Sequence, residues 1–365
     1  MINASFWRGL DVLVTGHTGF KGSWLCRLLS NLGSRVWGFA LAPEADAPSL
    51  FRLAGIESRV KSNIGDIRDM AALRDVFKEA APAVVLHLAA QPLVLEGYRD
   101  PVGTFAVNAL GTAHALECAR HAESVRSVLN VTTDKVYRNL GSGAGFAEND
   151  LLDGDDPYAN SKSCSELITG CWRRSFCAEP GAMALSTARA GNVIGGGDFS
   201  VNRIVPDCAR AALSGQTILI RQPLSIRPYQ HVLEPLFAYL MLAERQAADP
   251  SLSGAYNIGP NDADCLTTGE LATLFCEAWG SGLAWREANA GGPPEAEILR
   301  LDCSRIRQTF GWRPRWDART AIARTVEWIK GYASSGDVGR IMDAQIDDYA
   351  ALADISFPDI RIGTP

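Results

Sequence analysis

"DVLVTGHTGFKGSWLCRLLSNLG", residues 11–33, decides the fold. An apolar run, a glycine-spaced turn and a stretch of helical period follow one another directly, which is how a strand, a tight turn and a helix are written. Gly16, Gly19 and Gly22 fall in the turn and at its exit. Glycine there lets the backbone bend sharply and lie against a pyrophosphate, whose charge meets the positive end of the helix dipole. The spacing alone is a weak signal, and an ordinary turn with close helix packing is the competing reading. The strand-turn-helix setting is what gives it weight.

Outward from that unit the rhythm repeats. The runs "SRVWGFAL" (34–41), "RVKSNIGD" (59–66), "AVVLHLA" (83–89), "SVLNVTT" (127–133) and "MALSTARA" (183–190) alternate with longer segments of helical period. Strands separated by helices imply right-handed crossovers and a doubly wound, Rossmann-like α/β fold: a parallel sheet with helices on both faces. After "AGNVIGGGD" (190–198) the rhythm breaks into an amphipathic stretch, "RIVPDCARAALSG" (203–215), and a short strand, "TILIRQ" (217–222), which begin a smaller substrate-binding α/β domain. "HVLEPLFAYLMLAERQ" (231–246) reads as a helix and "GAYNIGP" (254–260) as a strand returning to the main sheet. The expected boundaries are therefore 1–190 with about 232–260 for the dinucleotide-binding domain, about 191–231 and 261–350 for the second domain, and a tail at 351–365.

A chain of 365 residues with 47% hydrophobic side chains buries a large core. A net charge of -6, with Lys and Arg scattered, argues against a nucleic-acid partner. Nine cysteines form no CxxC pair and several lie in apolar runs, so reduced, structural thiols of a cytoplasmic protein are expected. No basic segment followed by a long apolar one opens the chain, and no run of 18 apolar residues occurs; neither export nor a membrane span is expected. His17, His87, His114, His121 and His231 lack metal-ligand spacing, and no metal is expected.

"GDDPYANSKSCSELI" (154–168) carries the first chemistry. Pro157 suits the first turn of a helix, on which Tyr158 and Lys162 share a face. A nearby ammonium favours phenolate, letting Tyr158 take a proton from a sugar hydroxyl as hydride leaves the same carbon. An exposed helix face is the alternative, but the pair follows the fifth strand and lies downstream of Thr133. The second strand ends "GFALAP" (38–43), without the Asp or Glu that usually holds the ribose, and the first acids are Glu44 and Asp46. NADP therefore stands beside NAD. Asp66 closes the third strand as either an adenine contact or a helix N-cap.

Together, "TGHTGFKG" (15–22), "HLAA" (87–90), Asn108, Thr133, Tyr158 and Lys162 resemble the extended short-chain dehydrogenase/reductase family over essentially the whole chain. The resemblance implies a tightly held NAD and a nucleotide-diphosphate hexose as substrate. It further implies cofactor contacts from Gly16, Thr18, Gly19, Phe20, Gly22, Asp66, Ile67, Leu88, Ala89, Ala90, Asn108, Tyr158 and Lys162. The helices near 101–121 and 157–176 carry apolar residues on more than one face; in this family they make a homodimer or a dimer of dimers, with burial against the chain's own sheet as the alternative.

"NVTTDKVYRN" (130–139) then adds an acid and a base to the hydroxyl. Members that epimerise or oxidise a sugar need the hydroxyl, the Tyr and the Lys, and usually carry small residues next. A 4,6-dehydratase must also remove the C5 proton and expel the C6 hydroxyl. By resemblance to the nucleotide-sugar 4,6-dehydratases, C4 is oxidised, Lys135 takes the C5 proton, Asp134 protonates the leaving C6 oxygen, and hydride returns to C6. Neighbours on a strand face opposite ways, so both side chains reach one sugar only if the chain has left the strand by Asp134.

"TGHTGFKGSWL", "AAQPLV", "DPYANSK", "RAGNVIGGGD" and "SIRPYQHVLEPL" resemble the CDP-glucose 4,6-dehydratases in particular. That implies CDP-D-glucose as substrate, deoxysugar biosynthesis of the lipopolysaccharide O-antigen kind, and substrate contacts from Gln91, Asn192, Arg203 and Arg227. The planar fork of Arg suits a diphosphate. Two departures leave the base and the hexose open: Leu95 stands where the family has Arg, with Gly97 replacing a hydroxyl residue, and small residues at 140–145 replace Trp and charge. A nucleotide-sugar 4-epimerase, with Asp134 and Lys135 as bystanders, and a non-catalytic dinucleotide-binding scaffold are the competing readings.

Overall fold

The computed structural model describes residues 2–141, 143–179, 181–288, 298–353, 355 and 357. Its first half runs β1 (Asp11–Thr15), α1 (Phe20–Asn31), β2 (Arg35–Ala40), β3 (Lys61–Ile64), α2 (Met70–Ala80), β4 (Val84–His87) and α3 (Val94–Arg99). A long helix, α4, follows from Pro101–Phe105 through a π turn at Ala106–Leu110 into Gly111–Arg120. Next come β5 (Ser127–Val131), α5 (Pro157–Phe176) and β6 (Ala184–Ala190). The second half holds α6 (Ile204–Leu213), β7 (Ile218–Ile220), β8 (Ile226–Pro228), α7 (Leu233–Ala248), β9 (Ala255–Ile258), β10 (Cys265–Thr267), α8 (Thr268–Trp279) and β11 (Trp285–Glu287). Helices α9 (Ser304–Phe310), α10 (Ala318–Ala333) and α11 (Val338–Leu352) complete it.

Seven strands form one parallel sheet in the order β9-β6-β5-β4-β1-β2-β3. Every residue of β4, β5 and β6 is buried, the pattern of strands covered by helices on both faces. The helices start where their caps dictate: Asp69 accepts from the Ala71 and Ala72 amides at α2, and Asp156 accepts from Ala159 at α5, with Pro157 in the first turn. Register brings the strand exits level. Thr15 lies beside His87, His87 beside Asn130, and Val131 beside Ala188. The loops after β1, β4, β5 and β6 therefore converge where the strand order reverses, which is where doubly wound sheets bind their ligands.

The short strands β7 and β11 pair in parallel, and β8 and β10 antiparallel, outside that sheet. One apolar core nevertheless runs from Trp7 and Trp24 through the buried α7 to Trp328 and Tyr349, and a second, including Leu13, Phe39, Leu116 and Leu185, fills the other face. The C-terminal helix α11 returns to α1, where Arg27 donates to both Asp343 carboxylate oxygens at 2.7 and 2.6 Å. Of the expected tail, residues 354, 356 and 358–365 lie outside the described residues, as do 289–297 of the expected second domain and 142 of the 140–145 loop. No helix among the described residues is long and apolar enough to cross a membrane.

Candidate active site

The phosphate cradle is built from backbone. Gly16 has φ 76°, and a Cβ there would stand 2.8 Å from the Ala89 amide nitrogen; one at Gly22 would overlap the Gly16 carbonyl. Gly19 caps α1 without a side chain, and no acid occupies the first turn, so the leading N–H groups of the helix stay available to an anion. Space that a Cβ would fill, beside an uncapped helix start, fits a dinucleotide pyrophosphate. The Thr15 hydroxyl accepts from the Leu88 and Ala89 amides at 3.1 and 3.2 Å and meets His87 Nδ1 at 2.7 Å. Burial lowers the His87 pKa to about 3, so the ring is neutral; Thr15 gives its proton to Nδ1, and Nε2–H points to Thr112 at 3.3 Å.

Around the cradle, Thr18 donates to the Leu41 carbonyl at 2.9 Å, and the Phe20 ring lies against Gly195. Asn108 sits in the π turn of α4, a helix defect frequent at functional sites. Its amide accepts from Gln91 N at 2.8 Å and donates to Gln91 O and to Ser161. The Gln91 side chain is spent on Thr104 and the Leu93 amide, so it braces its own loop. Ile67 packs onto Gly111. The N-cap alternative for Asp66 is corrected: Asp69 caps α2, while Asp66 accepts from the Arg68 amide and guanidinium, whose hydrogen bonds hold its carboxyl below the usual range.

The strand run expected through residue 133 ends at Val131, and Asp134–Val136 form a single 3₁₀ turn. Thr132 turns to the Glu166 carboxylate at 2.5 Å, and the Thr133 side chain caps the turn at the Lys135 amide. With strand alternation ended, Thr133, Asp134 and Lys135 converge. Asp134 is 1% exposed; its Oδ1 accepts from Thr133 at 3.0 Å and from Lys135 Nζ at 3.1 Å. Its Oδ2 is buried without a partner. The carboxylate occupies the space a Cβ on Gly191 would take. Lys135 Nζ also meets Asn192 Oδ1 at 3.4 Å, and Asn192 holds φ 30°, a conformation Asn tolerates better than most residues.

Tyr158 and Lys162 open α5 beneath this turn, and both are buried. Lys162 Nζ donates to the Val131 carbonyl at 3.2 Å; burial lowers its pKa to about 8, and Glu166 opposes the shift. Burial raises the Tyr158 phenol to about 12, with a Thr133 hydrogen bond and the Arg203 charge pulling it down. A nearby ammonium was expected to favour phenolate; burial acts the other way on this phenol, and the charge that opposes it here is that of Arg203. Lys21, unremarked in the sequence although it sits within the glycine motif, reaches the same pocket. Desolvation, with Arg203 and Lys162 nearby, lowers it to about 7, while Asp134 and Asp198 hold it up.

A buried polar network underlies the turn. Glu166 accepts from Thr132, from Thr187 at 2.8 Å and from Arg189 at 2.8 Å; Arg189 reaches Tyr137, whose hydroxyl donates to Asn257 at 2.6 Å. Glu166 was legible as the residue one turn after Lys162, and Arg189 as an arginine inside an apolar strand. Arg203 pairs with Asp198 at 3.1 Å, and the buried Arg227 lies on β8. Leu95 is partly exposed on α3, and a Cβ at Gly97 would come 3.0 Å from the Tyr158 amide, so the missing side chain lets α3 seat against the start of α5. Beyond the turn, Phe146 and Leu301 form a β-bridge that straps the small-residue loop to the second half of the chain.

The sequence pattern of the GDP-mannose 4,6 dehydratase family matches residues 13–325. The chain belongs to this family. It is 41% identical over 355 residues to a CDP-glucose 4,6-dehydratase of Salmonella typhimurium, covering 96% of this chain and 98% of that one. It is 29% identical over 330 residues to a dTDP-glucose 4,6-dehydratase of Streptomyces antibioticus, covering 88% and 92%. Among solved structures, the UDP-glucose 4-epimerase of Thermus thermophilus in complex with NAD superposes with a TM-score of 0.74 at 26% identity, covering 88% of this chain and 99% of that one. A dTDP-glucose 4,6-dehydratase of Streptomyces venezuelae, TM-score 0.76 at 24% identity and covering 89% and 98%, shares the fold.

Proposed function

We propose that this protein is an NAD-dependent nucleotide-sugar 4,6-dehydratase, a hydro-lyase that converts CDP-D-glucose to CDP-4-keto-6-deoxy-D-glucose. The observation that carries the reading is the Asp134 carboxyl, buried with one oxygen unpartnered and Lys135 Nζ 3.1 Å from the other. An epimerase has no use for a paired acid and base beyond its tyrosine. The match to the Salmonella typhimurium enzyme over 96% of the chain supports the substrate.

NAD held on the Gly16 cradle supplies a reversible hydride acceptor. Tyr158 takes the proton of the C4 hydroxyl, which Thr133 orients, and Lys162 holds the cofactor ribose. Lys135 takes the C5 proton and Asp134 gives its proton to the departing C6 oxygen, which leaves as water; C6 then regains the hydride taken from C4, and C5 a proton by way of Lys135. Asn192, Arg203 and Arg227 bind the diphosphate, with Gln91 shaping the loop beside it. The sugar nucleotide lies between the sheet unit, 1–190 with 232–260, and the remainder of the chain. Exposed Val102 and Leu110 on α4 support a homodimer through α4 and the neighbouring α5, and the free cysteines suit a cytoplasmic location. The product class feeds deoxysugar biosynthesis such as O-antigen assembly.

Incubation of the pure protein with CDP-D-glucose and NAD in D₂O tests the reading. The expected product is the 4-keto-6-deoxy sugar with one deuterium at C5, since that carbon loses and regains a proton. CDP-galactose without label at C5 would establish epimerisation instead.

A further inference from the structure

A cleft of about 320 Å³ opens outside the active site, between the last turns of α5 and the β6–β9 edge of the sheet. Arg173 and Arg174 stand on one wall, Arg305 and Glu148 on the other, and the Arg189–Glu166 pair forms the floor. Neither Arg173 nor Arg174 makes a side-chain hydrogen bond or ion pair among the described residues, although Arg173 is half-buried. Arg189, 3% exposed, keeps its Nε unpartnered. Guanidinium groups near a helix C-terminus do answer the helix dipole. That accounts for an exposed Arg174, but for the half-buried Arg173 only the charge of Glu166, already hydrogen-bonded to Arg189, offsets the lost hydration.

The charges do not cancel inside the cleft. Glu166 is consumed by Arg189 and two threonine hydroxyls. Glu148 has one oxygen on the Asn257 amide and the other 3.9 Å from Arg305 Nε, too far for a hydrogen bond. Two guanidinium groups without hydrogen bonds therefore face Glu148, paired only at 3.9 Å with Arg305, and Asn149, whose amide oxygen takes Arg305 Nη2 at 3.2 Å and whose amide nitrogen is left for a ligand, across a space large enough for a small metabolite. Arginine forks match phosphate oxygens, and carboxylate and amide groups match hydroxyls.

We propose that this cleft is a second ligand site that takes a sugar phosphate, with its phosphate on Arg173 and Arg174 and its hydroxyls toward Glu148 and Asn149. The Arg189–Glu166 floor separates it from the active site and touches Thr132, the residue before Thr133. Calorimetric titration of the full chain with glucose 1-phosphate at low salt tests it. Saturable binding of one equivalent per chain is expected, at least threefold tighter than inorganic phosphate. The double variant Arg173→Ala/Arg174→Ala should weaken it at least tenfold while turnover of CDP-D-glucose stays within twofold of wild type. Arg227→Ala should leave it unchanged. Should the double variant fail to fold, Arg174→Gln on the exposed end of the pair is expected to weaken binding at least threefold. No saturable binding at millimolar ligand, binding as tight for phosphate alone, insensitivity to the cleft variants, or loss in Arg227→Ala would each overturn the proposal.

Discussion

The cradle after β1 and the pocket after β5 sit side by side on one sheet and are made by opposite means. The cradle is specified by missing atoms: Gly16 and Gly22 leave room where a Cβ would strike backbone, and the α1 N-terminus supplies donors without any side chain. The pocket is specified by buried charges: Lys162, Glu166 and Arg189 take partners from other elements, and Asp134, held by its neighbours Thr133 and Lys135, is enclosed by Gly191 from the end of β6. Absent atoms need only a local motif, whereas a buried charge needs the whole fold around it. A cradle of this kind can serve many chemistries, and the pocket selects one.

If that division holds, function and cofactor binding separate cleanly on substitution. Asp134→Asn keeps the shape of the carboxyl, its place against Gly191 and an oxygen for Thr133, but it has no proton to give to the C6 oxygen. Turnover should fall by about 10²–10⁴-fold, the usual worth of a general acid. The affinity for NAD, read by fluorescence titration, should not change. A loss of less than tenfold in turnover, or a parallel loss in NAD affinity, would break the separation.

The next test concerns what supports the pocket. Arg189→Met leaves the Glu166 carboxylate buried, with only two hydroxyls to hold it. Losing one partner of a buried ion pair costs about 3–5 kcal/mol. Urea unfolding should show that loss, and adding Glu166→Gln to Arg189→Met should recover part of it, since the stranded charge is then gone. Additive effects in this double-mutant cycle would mean that the two side chains do not act as a pair.

The same contrast explains what the sequence disclosed. The strands, the glycine turn and the Tyr158–Lys162 helix were legible because each is a local pattern with a fixed period or cap. The end of β5 was not: "SVLNVTT" ends on three β-branched residues that all suit a strand, and only the distant Glu166 carboxylate, by claiming the Thr132 hydroxyl, shows why the chain turns before Thr133. Asp66 and Asp69 differ by three positions, and only coordinates show which carboxylate meets the α2 amides. Lys21 was hidden for another reason, because its neighbours in space, Asp134, Lys162 and the Asp198–Arg203 pair, come from three stretches of chain far from its own.

A third buried carboxylate sharpens the comparison because no cation hydrogen-bonds to it, Arg315 acting on it only through its charge. Glu234, in the first turn of α7, accepts from the Arg315 and Trp316 amides at 2.9 and 2.7 Å and from the Tyr349 hydroxyl at 2.6 Å. Desolvation outweighs these donors and the Arg315 charge and raises its pKa to about 7. In the unfolded chain the same group titrates near ~4.3. Between those values the unfolded state releases the proton and the folded state keeps it, so this residue lowers stability as pH rises from about 4.5 to about 7, by on the order of 3 kcal/mol, and adds no further slope above that. The neutral His17, His87 and His231, with pKa values lowered by burial to about 4, 3 and 3, act the other way, losing stability as pH falls below ~6.5. Only a difference isolates the carboxyl. Glu234→Gln keeps an acceptor for both amides, and the amide nitrogen can donate to Tyr349. Its stability relative to wild type should therefore climb steadily between pH 4.5 and 7 and level off above, as measured by urea midpoints in matched buffers. A constant difference across that window would mean that Glu234 ionises in the folded chain as freely as it does in the unfolded one, and that a buried carboxylate here needs no cation, which is the requirement that sets the pocket apart from the cradle.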